Sequence, residues 1–390
     1  MTEKETSPLP PHKDITAALV LADGSVFWGY GIGAAKDIVG EVCFNTSITG
    51  YQEILTDPSY AGQIITFTFP HIGNVGCNIE DMESTVPAAR GLIIREAITG
   101  PSNFRSQQHL NDWCVAHSLV GISGIDTRRL TRYIVKNSAP KGVISHNPDG
   151  IFDIPALIEK ARGWPGLEGM DLAKQVSCAE TYAWDDKRWT LADGYQKQDA
   201  PKAHVVAVDY GIKRNILRCL ASTGARITVV PANSTADEIL SHKPDGIFLS
   251  NGPGDPAATG QYAIPIIQDV LKTGIPLFGI CLGYQILALA IGAKTVKMYQ
   301  GHRGANHPVK DFNTDKVEIT SMNHGFMVDK DSLPGTAKVS HISLFDQTLC
   351  GFELTDKPAF AVQHHPEASP GPQDSHYLFD RFMEMIEKNA

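Results

Sequence analysis

Short apolar runs alternate with amphipathic segments through the second half of the chain. Each run has the length and composition of a buried parallel strand, and they lie at residues 204–209, 227–230, 246–250 and 275–280. Helical segments separate them, and Thr235 with Glu238 predicts a capping box at the start of one helix. Strands and helices that alternate in this way are typical of right-handed βαβ units. The pattern therefore predicts an α/β fold with a doubly wound, mostly parallel sheet.

The pattern becomes richer in strands toward the C-terminal end. Strands are predicted at residues 316–321, 337–340, 349–354 and 359–363, and a closing helix at 377–387. In doubly wound sheets the ligand site lies at the carboxyl ends of the strands. We therefore expect the functional residues of this domain to follow its apolar runs directly.

The first part of the chain predicts a separate, strand-rich mixed domain. Residues 17–29 form a hairpin pattern, and a polar, turn-rich loop at 44–60 connects two apolar strands. This loop is either a plain surface connection or a binding loop, and the region contains no recognisable catalytic constellation. The expected divisions are a mobile tail at 1–14, an N-terminal domain at 15–182, a charged linker at 183–203 and a C-terminal domain at 204–390.

Composition narrows the class of protein. The chain has 42% hydrophobic and 20% charged residues, which is ordinary for a soluble globular protein. Its net charge of −9 argues against a nucleic-acid or membrane partner. The seven cysteines include no C-x-x-C pair, so neither a disulfide framework nor a structural zinc site is indicated. A reducing cytoplasm is the expected location.

Cys281 is the candidate nucleophile. It ends the apolar run at 275–280, a helical pattern follows it directly, and Gly279 and Gly283 flank it. A strand that breaks into a helix at a nucleophile between glycines is the elbow arrangement. The free N–H groups at a helix N-terminus favour the thiolate. The alternative is that Cys281 is only a small buried hydrophobe, and it is set aside because of residues near the C-terminus.

His365 and Glu367 are the candidate base and its orienting group. Pro366 favours an extended conformation at His365, and residues two apart in an extended segment face the same side. The carboxylate can then hold the imidazole, which completes a Cys-His-Glu triad. His364 is the competitor, but it faces the other side and has no carboxylate two residues on. The remaining histidines, including His302, His307 and His324, are expected to be turn or core residues.

Two backbone N–H groups are candidates for an oxyanion hole. One belongs to Leu282, the residue after the nucleophile, and the other to Gly254 in the glycine-rich loop at 251–256. Glycine in this loop allows close backbone approach, although a tight turn alone would also require it.

These motifs resemble those of class I, or triad, glutamine amidotransferases. The residues that carry the resemblance are 251–256, 279–285 and 365–367. Four further stretches narrow it to the carbamoyl-phosphate synthase small chains, namely residues 44–60, 70–74, 301–308 and 365–372. The resemblance extends from about residue 17 to residue 382, and the stretch at 44–60 is specific to the small chains.

The resemblance implies a set of glutamine-binding residues. They are Ser47, Gly252, Gly254, Leu282, Gln285, Asn323, Gly325 and Phe326. Two positions depart from the family pattern. His364 stands where a small residue, often glycine, is expected, and Arg303 stands where histidine is common. Neither belongs to the triad, but His364 could crowd it or perturb its pKa values.

The resemblance also implies a partner. The chain has no G-x-x-x-x-G-K-[ST] loop, so no cofactor and no metal are expected on it. ATP and Mg²⁺ would belong to a large synthetase chain that forms a heterodimer with this one and feeds arginine and pyrimidine synthesis. Alternatives are the amidotransferase subunit of another synthase, a stand-alone glutaminase, and a non-catalytic regulatory subunit. The loop at 44–60 argues against the first two, and the intact triad argues against the third.

Overall fold

The computed structural model describes residues 12–389 and divides between Leu167 and Glu168 into two compact units. Most of the tail predicted at 1–14 lies outside the described residues. Across the described residues every helix is too short or too polar to serve as a transmembrane span.

The first unit is a closed barrel with short helices between its strands. In chain order its strands and helices are β1 (Ala17–Leu21), β2 (Val26–Gly33), β3 (Asp37–Asn45), α1 (Tyr51–Thr56), β4 (Gln63–Phe67), β5 (Gly91–Ile93), α2 (Leu110–Ala116), β6 (Val120–Ser123), α3 (Thr127–Asn137), β7 (Lys141–His146) and α4 (Ile154–Gly163). The strand order around the barrel is β1-β2-β6-β5-β4-β3-β7.

Local chemistry explains several of these elements. The β1–β2 hairpin turns at Gly24, whose φ of 94° is in the left-handed region that favours glycine. The Asp126 side chain accepts a hydrogen bond from the Arg129 N–H and so caps α3. The loop at 44–60 buries Ile54 and Leu55 of α1, so it packs against the barrel rather than lying on the surface.

The second unit is a ten-stranded sheet with helices on both faces. Its strands and helices are α5 (Ala173–Val176), β8 (Tyr182–Trp184), β9 (Ala203–Asp209), α6 (Arg214–Ser222), β10 (Ala225–Pro231), α7 (Ala236–Ser241), β11 (Gly246–Leu249), α8 (Pro256–Leu271), β12 (Leu277–Ile280), α9 (Leu282–Ala290), β13 (Thr295–Asp311), β14 (Val317–Val328), β15 (Ala337–Ser343), β16 (Leu349–Leu354), β17 (Ala359–Val362) and α10 (Tyr377–Asn389). The strand order is β14-β13-β15-β16-β17-β12-β11-β9-β10-β8.

The central strands β17, β12, β11, β9 and β10 are parallel, and the strands at both edges pair antiparallel. Helices α8 and α9 pack on one face of this sheet, and α6 and α10 pack on the other. Phe278 of β12 stacks on Phe360 of β17 with ring centroids 4.4 Å apart. Burial on both faces explains why these strands are continuous apolar runs in the sequence.

The structure confirms the predicted fold class and changes two of its details. The predicted linker at 183–203 overlaps β8, which pairs with β10, so the second unit begins earlier than predicted, at Glu168. Strand β13 was not predicted, because Gly301, Gly304 and Pro308 interrupt its apolar pattern and its pairing with β14 contains register shifts.

Candidate active site

Cys281 lies in a strained turn between β12 and α9. Its φ of 53° and ψ of −102° are unusual for a residue with a side chain, and strain of this kind is typical of functional sites. Gly283 has no space for a side chain, and Gly279 is tightly packed. A Cβ on Gly283 would lie 2.3 Å from the Leu249 carbonyl oxygen, and one on Gly279 would lie 3.0 Å from the Gly283 carbonyl oxygen. The predicted elbow is therefore present.

His365 and Glu367 follow β17, the strand beside β12. The His365 N–H donates to the Ser321 carbonyl at 2.9 Å, which anchors the segment to β14. On its side chain, Nδ1–H donates to Glu367 Oε1 at 2.7 Å, and both side chains are buried. The opposite ring nitrogen, Nε2, is buried and has no hydrogen-bond partner at ordinary distance among residues 12–389. This nitrogen is free to exchange a proton with a thiol or a substrate.

The charges in this cluster favour an ion pair. Burial alone would lower the pKa of His365, but the charges of Glu367 and Cys281 outweigh it and raise that pKa to about 10. Burial would raise the pKa of Glu367, but Lys213 and His365 lower it to about 2. Around neutral pH Glu367 is therefore a carboxylate and His365 an imidazolium, and the positive charge of His365 lies beside Cys281.

Lys213 and Gln363 also belong to the site, although the sequence analysis missed both. Lys213 Nζ lies 2.9 Å from Glu367 Oε1 and donates to the Ala368 carbonyl at 2.7 Å. Gln363 Nε2 donates to Cys281 Sγ at 3.5 Å. Gln363 precedes His365 by two residues, so the period-two rule could have placed both on one side. No sequence signal connects Lys213 to Glu367, because they are 154 positions apart and meet only in the folded sheet.

The glycine-rich loop after β11 lies against the start of α9. A Cβ on Gly252 would be 2.2 Å from the Tyr210 carbonyl oxygen and 2.9 Å from Leu282 Cδ2. Gly254 has a φ of 91°, and a Cβ there would meet the Met170 carbonyl oxygen at 2.6 Å. The loop therefore tolerates only glycine at these two positions, which is consistent with an oxyanion-binding backbone.

Comparison with known proteins was made for the whole chain. Residues 206–385 match the family model of class I glutamine amidotransferases, and residues 19–144 match that of the CPSase domain of the carbamoyl-phosphate synthase small chain. Carbamoyl phosphate synthase small chains of three bacteria are similar over nearly their full length. That of Bradyrhizobium diazoefficiens is 60% identical over 99% of this chain and 98% of its own. The chain belongs to the carbamoyl phosphate synthase small chain family.

The other two relatives agree with this. The small chain of Rhizobium meliloti is 61% identical over 95% of this chain and 94% of its own. The small chain of Ruegeria pomeroyi is 61% identical over 94% of this chain and 95% of its own. The family predicted from the motifs is therefore confirmed.

Three residues of the expected glutamine-binding set, Gln285, Asn323 and Phe326, are connected by hydrogen bonds to Cys281 or to its neighbour Gln363. In its thiol form Sγ–H donates to the Asn323 carbonyl at 3.6 Å. Gln285 Nε2 donates to the Phe326 carbonyl at 2.8 Å and to Gln363 Oε1 at 2.9 Å. Gln285 therefore joins β14 to the segment that carries the triad histidine.

Two further residues of the expected glutamine-binding set make contacts that do not involve Cys281. Gly325 lies on β14 beside Arg303, since a Cβ there would be 3.2 Å from Arg303 Nη2. Ser47 belongs to the first unit, where it is buried after β3 and its N–H donates to Asn45 Oδ1 at 2.7 Å.

The two departures from the family pattern are both buried. Arg303 Nη1 donates to the Gln300 carbonyl at 2.8 Å. His364 faces away from Glu367, and its ring meets the His341 ring edge-on with centroids 5.4 Å apart. As predicted, His365 and not His364 contacts Glu367. The rings of His302, His307 and His324 cluster with centroids about 5 Å apart and are buried core residues.

Proposed function

We propose that this chain is the glutamine-hydrolysing subunit of a carbamoyl-phosphate synthase. It cleaves L-glutamine to glutamate and ammonia at Cys281 and delivers the ammonia to a large synthetase chain. The observation that carries the proposal is the hydrogen bond from His365 to Glu367 next to a cysteine held in a strained elbow. Membership of the small-chain family supports the choice of partner.

The first half of the reaction forms a thioester. The Cys281 thiolate attacks the side-chain amide carbon of glutamine, and the resulting oxyanion accepts hydrogen bonds from the Leu282 and Gly254 N–H groups. His365, protonated in the resting site, gives its proton to the departing nitrogen. The C–N bond breaks, ammonia leaves, and a γ-glutamyl thioester remains on Cys281.

The second half hydrolyses the thioester. His365, now neutral, removes a proton from water, and the resulting hydroxide attacks the thioester carbon. Collapse of this second tetrahedral species releases glutamate and restores the Cys281 thiolate beside the His365 imidazolium. Glu367 keeps the imidazole oriented through both steps, and Lys213 keeps Glu367 ionised.

The fate of the ammonia argues for a heterodimer. Ammonia released into water at neutral pH is mostly protonated and is no longer a nucleophile, so it must pass directly to its acceptor. The large chain would bind ATP and Mg²⁺ and form carbamoyl phosphate from bicarbonate, while this chain would bind the glutamine. The product would enter arginine and pyrimidine synthesis, and a cytoplasmic location fits this role.

The test is glutamine hydrolysis by the purified chain, alone and with a carbamoyl-phosphate synthase large chain, ATP and bicarbonate. We expect weak activity alone and a sharp increase in the mixture, with carbamoyl phosphate formed. Strong glutamine hydrolysis by the chain alone that does not change when the large chain is added would support the triad assignment but contradict the proposed partner. Absence of glutamine hydrolysis in both conditions would contradict the triad assignment.

A further inference from the structure

Three buried side chains, His364 and two others, lie close together in the second unit. They are Glu318 of β14, His341 of β15 and His364 after β17, and one ligand-type atom of each lies within 4.8 Å of those of the other two. Glu318 is 4% exposed, and the two histidines are fully buried. None of the three belongs to the triad or to the expected glutamine-binding set.

These side chains hold unsatisfied polar atoms. Glu318 Oε2, His341 Nε2 and both ring nitrogens of His364 are buried without a hydrogen-bond partner among residues 12–389. Leaving one such atom unpaired costs about 1–3 kcal/mol, so four in one place need an explanation. A cation bound between the three side chains would accept one lone pair from each of them, while the other ring nitrogen of His364 would carry its proton.

We propose that Glu318, His341 and His364 form a binding site for a divalent transition metal, with Zn²⁺ as the best match. Two imidazoles and one carboxylate are a common ligand set for Zn²⁺, and water can complete the tetrahedron. Ligand atoms around a tetrahedral zinc ion lie about 3.4 Å apart, given bond lengths of about 2.0–2.2 Å. Atoms already within 4.8 Å of one another need only small side-chain shifts to reach this spacing.

The surroundings of His341 also fit a metal ligand. Its Nδ1 is hydrogen-bonded to Ser340 Oγ at 2.8 Å, which leaves Nε2 for the ion, and metal-bound histidines usually have such a second partner. Gly351 provides the space for this ring, since a Cβ there would lie 2.7 Å from His341 Nδ1.

The charges around the cluster add to the argument. Glu318 also lines a cavity of about 390 Å³ together with Lys316, Asp374 and Tyr377. Asp311 Oδ1 lies 3.8 Å from His341 Nε2, so two buried carboxylates meet at this cluster. A divalent cation would compensate the charge of these carboxylates. It would also link β14, β15 and the segment after β17, which carries His365.

The experiment measures zinc binding to the full chain after dialysis against EDTA. A Cys281→Ser background is used throughout, so that the triad thiolate cannot supply a competing ligand. Zn²⁺ is titrated against a chromophoric chelator, and Co²⁺ is added separately to record its visible spectrum. We expect one tight site per chain, a tetrahedral Co²⁺ spectrum, and a higher melting temperature with Zn²⁺.

Variants then test the ligands. Losing a hydrogen-bond partner of a metal ligand commonly weakens metal binding by about 10–100-fold. Glu318→Gln and His364→Gln remove the ligands themselves, so each should weaken zinc binding at least about 100-fold and abolish the zinc-dependent melting shift. The matched control is His204→Gln, because His204 is also buried in this unit but is bonded to Thr228 Oγ1 at 2.8 Å. Circular dichroism of each metal-free variant checks folding.

Three results would overturn the site. The first is that the chain with all three ligand residues intact does not bind Zn²⁺. Glu318→Gln and His364→Gln could bind it as tightly as the control, which would assign the ion to the surface. Binding could instead be lost in His302→Gln, which would assign it to the separate cluster of His302, His307 and His324.

Discussion

At the scale of single residues, the site depends on an ammonium group that is almost completely buried. The Lys213 and Glu367 side chains are 3% and 0% exposed. The Glu367 carboxylate lies between two cationic groups, the Lys213 ammonium and the His365 imidazolium. Removing one partner of a buried pair leaves the other uncompensated, which commonly costs about 3–5 kcal/mol. Lys213 therefore supports both the fold and the ionised state of the triad.

Glu367→Gln tests this pairing through pH. The pKa of Glu367 is lowered from 4.5 to about 2, so the carboxylate stabilises the folded state fully above about pH 4.5 and loses that effect as the pH falls toward 2. We expect the variant to be less stable near neutral pH and the difference from the wild type to shrink on acidification from 4.5. Urea unfolding at a series of pH values measures the free energy of unfolding of both proteins, and Glu387→Gln, at an exposed position, is the control. A difference that stays constant with pH would contradict the assignment.

Gln363→Leu tests the amide that contacts the nucleophile. Hydrogen bonds to charged groups contribute about 1.5–3 kcal/mol, so losing the donor to Cys281 Sγ should lower kcat/KM for glutamine about 10–100-fold and slow alkylation of Cys281. Gln52→Leu is the matched control, because this glutamine is also buried and its Nε2 donates to the Asn78 carbonyl at 2.7 Å in the first unit. Equal effects of the two substitutions on both measurements would show that Gln363 has only a structural role.

At the scale of elements, the β12–Cys281–α9 elbow requires that helix and strand approach closely. Gly283→Ala would place a Cβ 2.3 Å from the Leu249 carbonyl oxygen, which is backbone and cannot move aside cheaply. We expect a loss of about 1–3 kcal/mol in unfolding free energy, typical of overpacking, and a larger proportional loss of glutaminase activity because Cys281 shifts. Gly335→Ala is the control, since a Cβ there meets nothing within 4 Å. An active, stable Gly283→Ala would show that the turn tolerates a side chain.

The elbow could be predicted from sequence because strand, nucleophile, glycines and helix are adjacent in the chain. His365 and Glu367 are also near each other in the chain, so their contact could be predicted, but they meet across a turn in which the Ala368 N–H donates to the His365 carbonyl at 3.1 Å, not along an extended segment. Lys213 could not be predicted, since it reaches Glu367 only after β9 and β17 take their places in the sheet. Barrel closure in the first unit and the pairing of β13 with β14 depend equally on long-range contacts, which local pattern does not record.

At the scale of the whole molecule, the two units match two different family models, and the relatives include both. The triad and its supporting residues all lie in the second unit. Residues 19–144 of the first unit match the small-chain family model and include none of the triad residues, and we propose that this unit takes part in assembly with a large chain. On this basis glutamine use and carbamoyl phosphate synthesis should be separable by one substitution.

Cys281→Ser in complex with a large chain makes that separation measurable. Without the thiolate no thioester forms, and loss of a triad nucleophile can cost about 10⁶-fold in kcat, so glutamine-dependent carbamoyl phosphate synthesis should fall to background. Ammonium chloride supplies ammonia directly, and synthesis from it should match the unsubstituted complex because the large chain is unchanged. Cys178→Ser, at a partly exposed cysteine of the same unit, should retain both activities. Loss of the ammonia-dependent reaction in Cys281→Ser would mean that the substitution disrupts assembly, and retention of the glutamine-dependent reaction would contradict the nucleophile assignment.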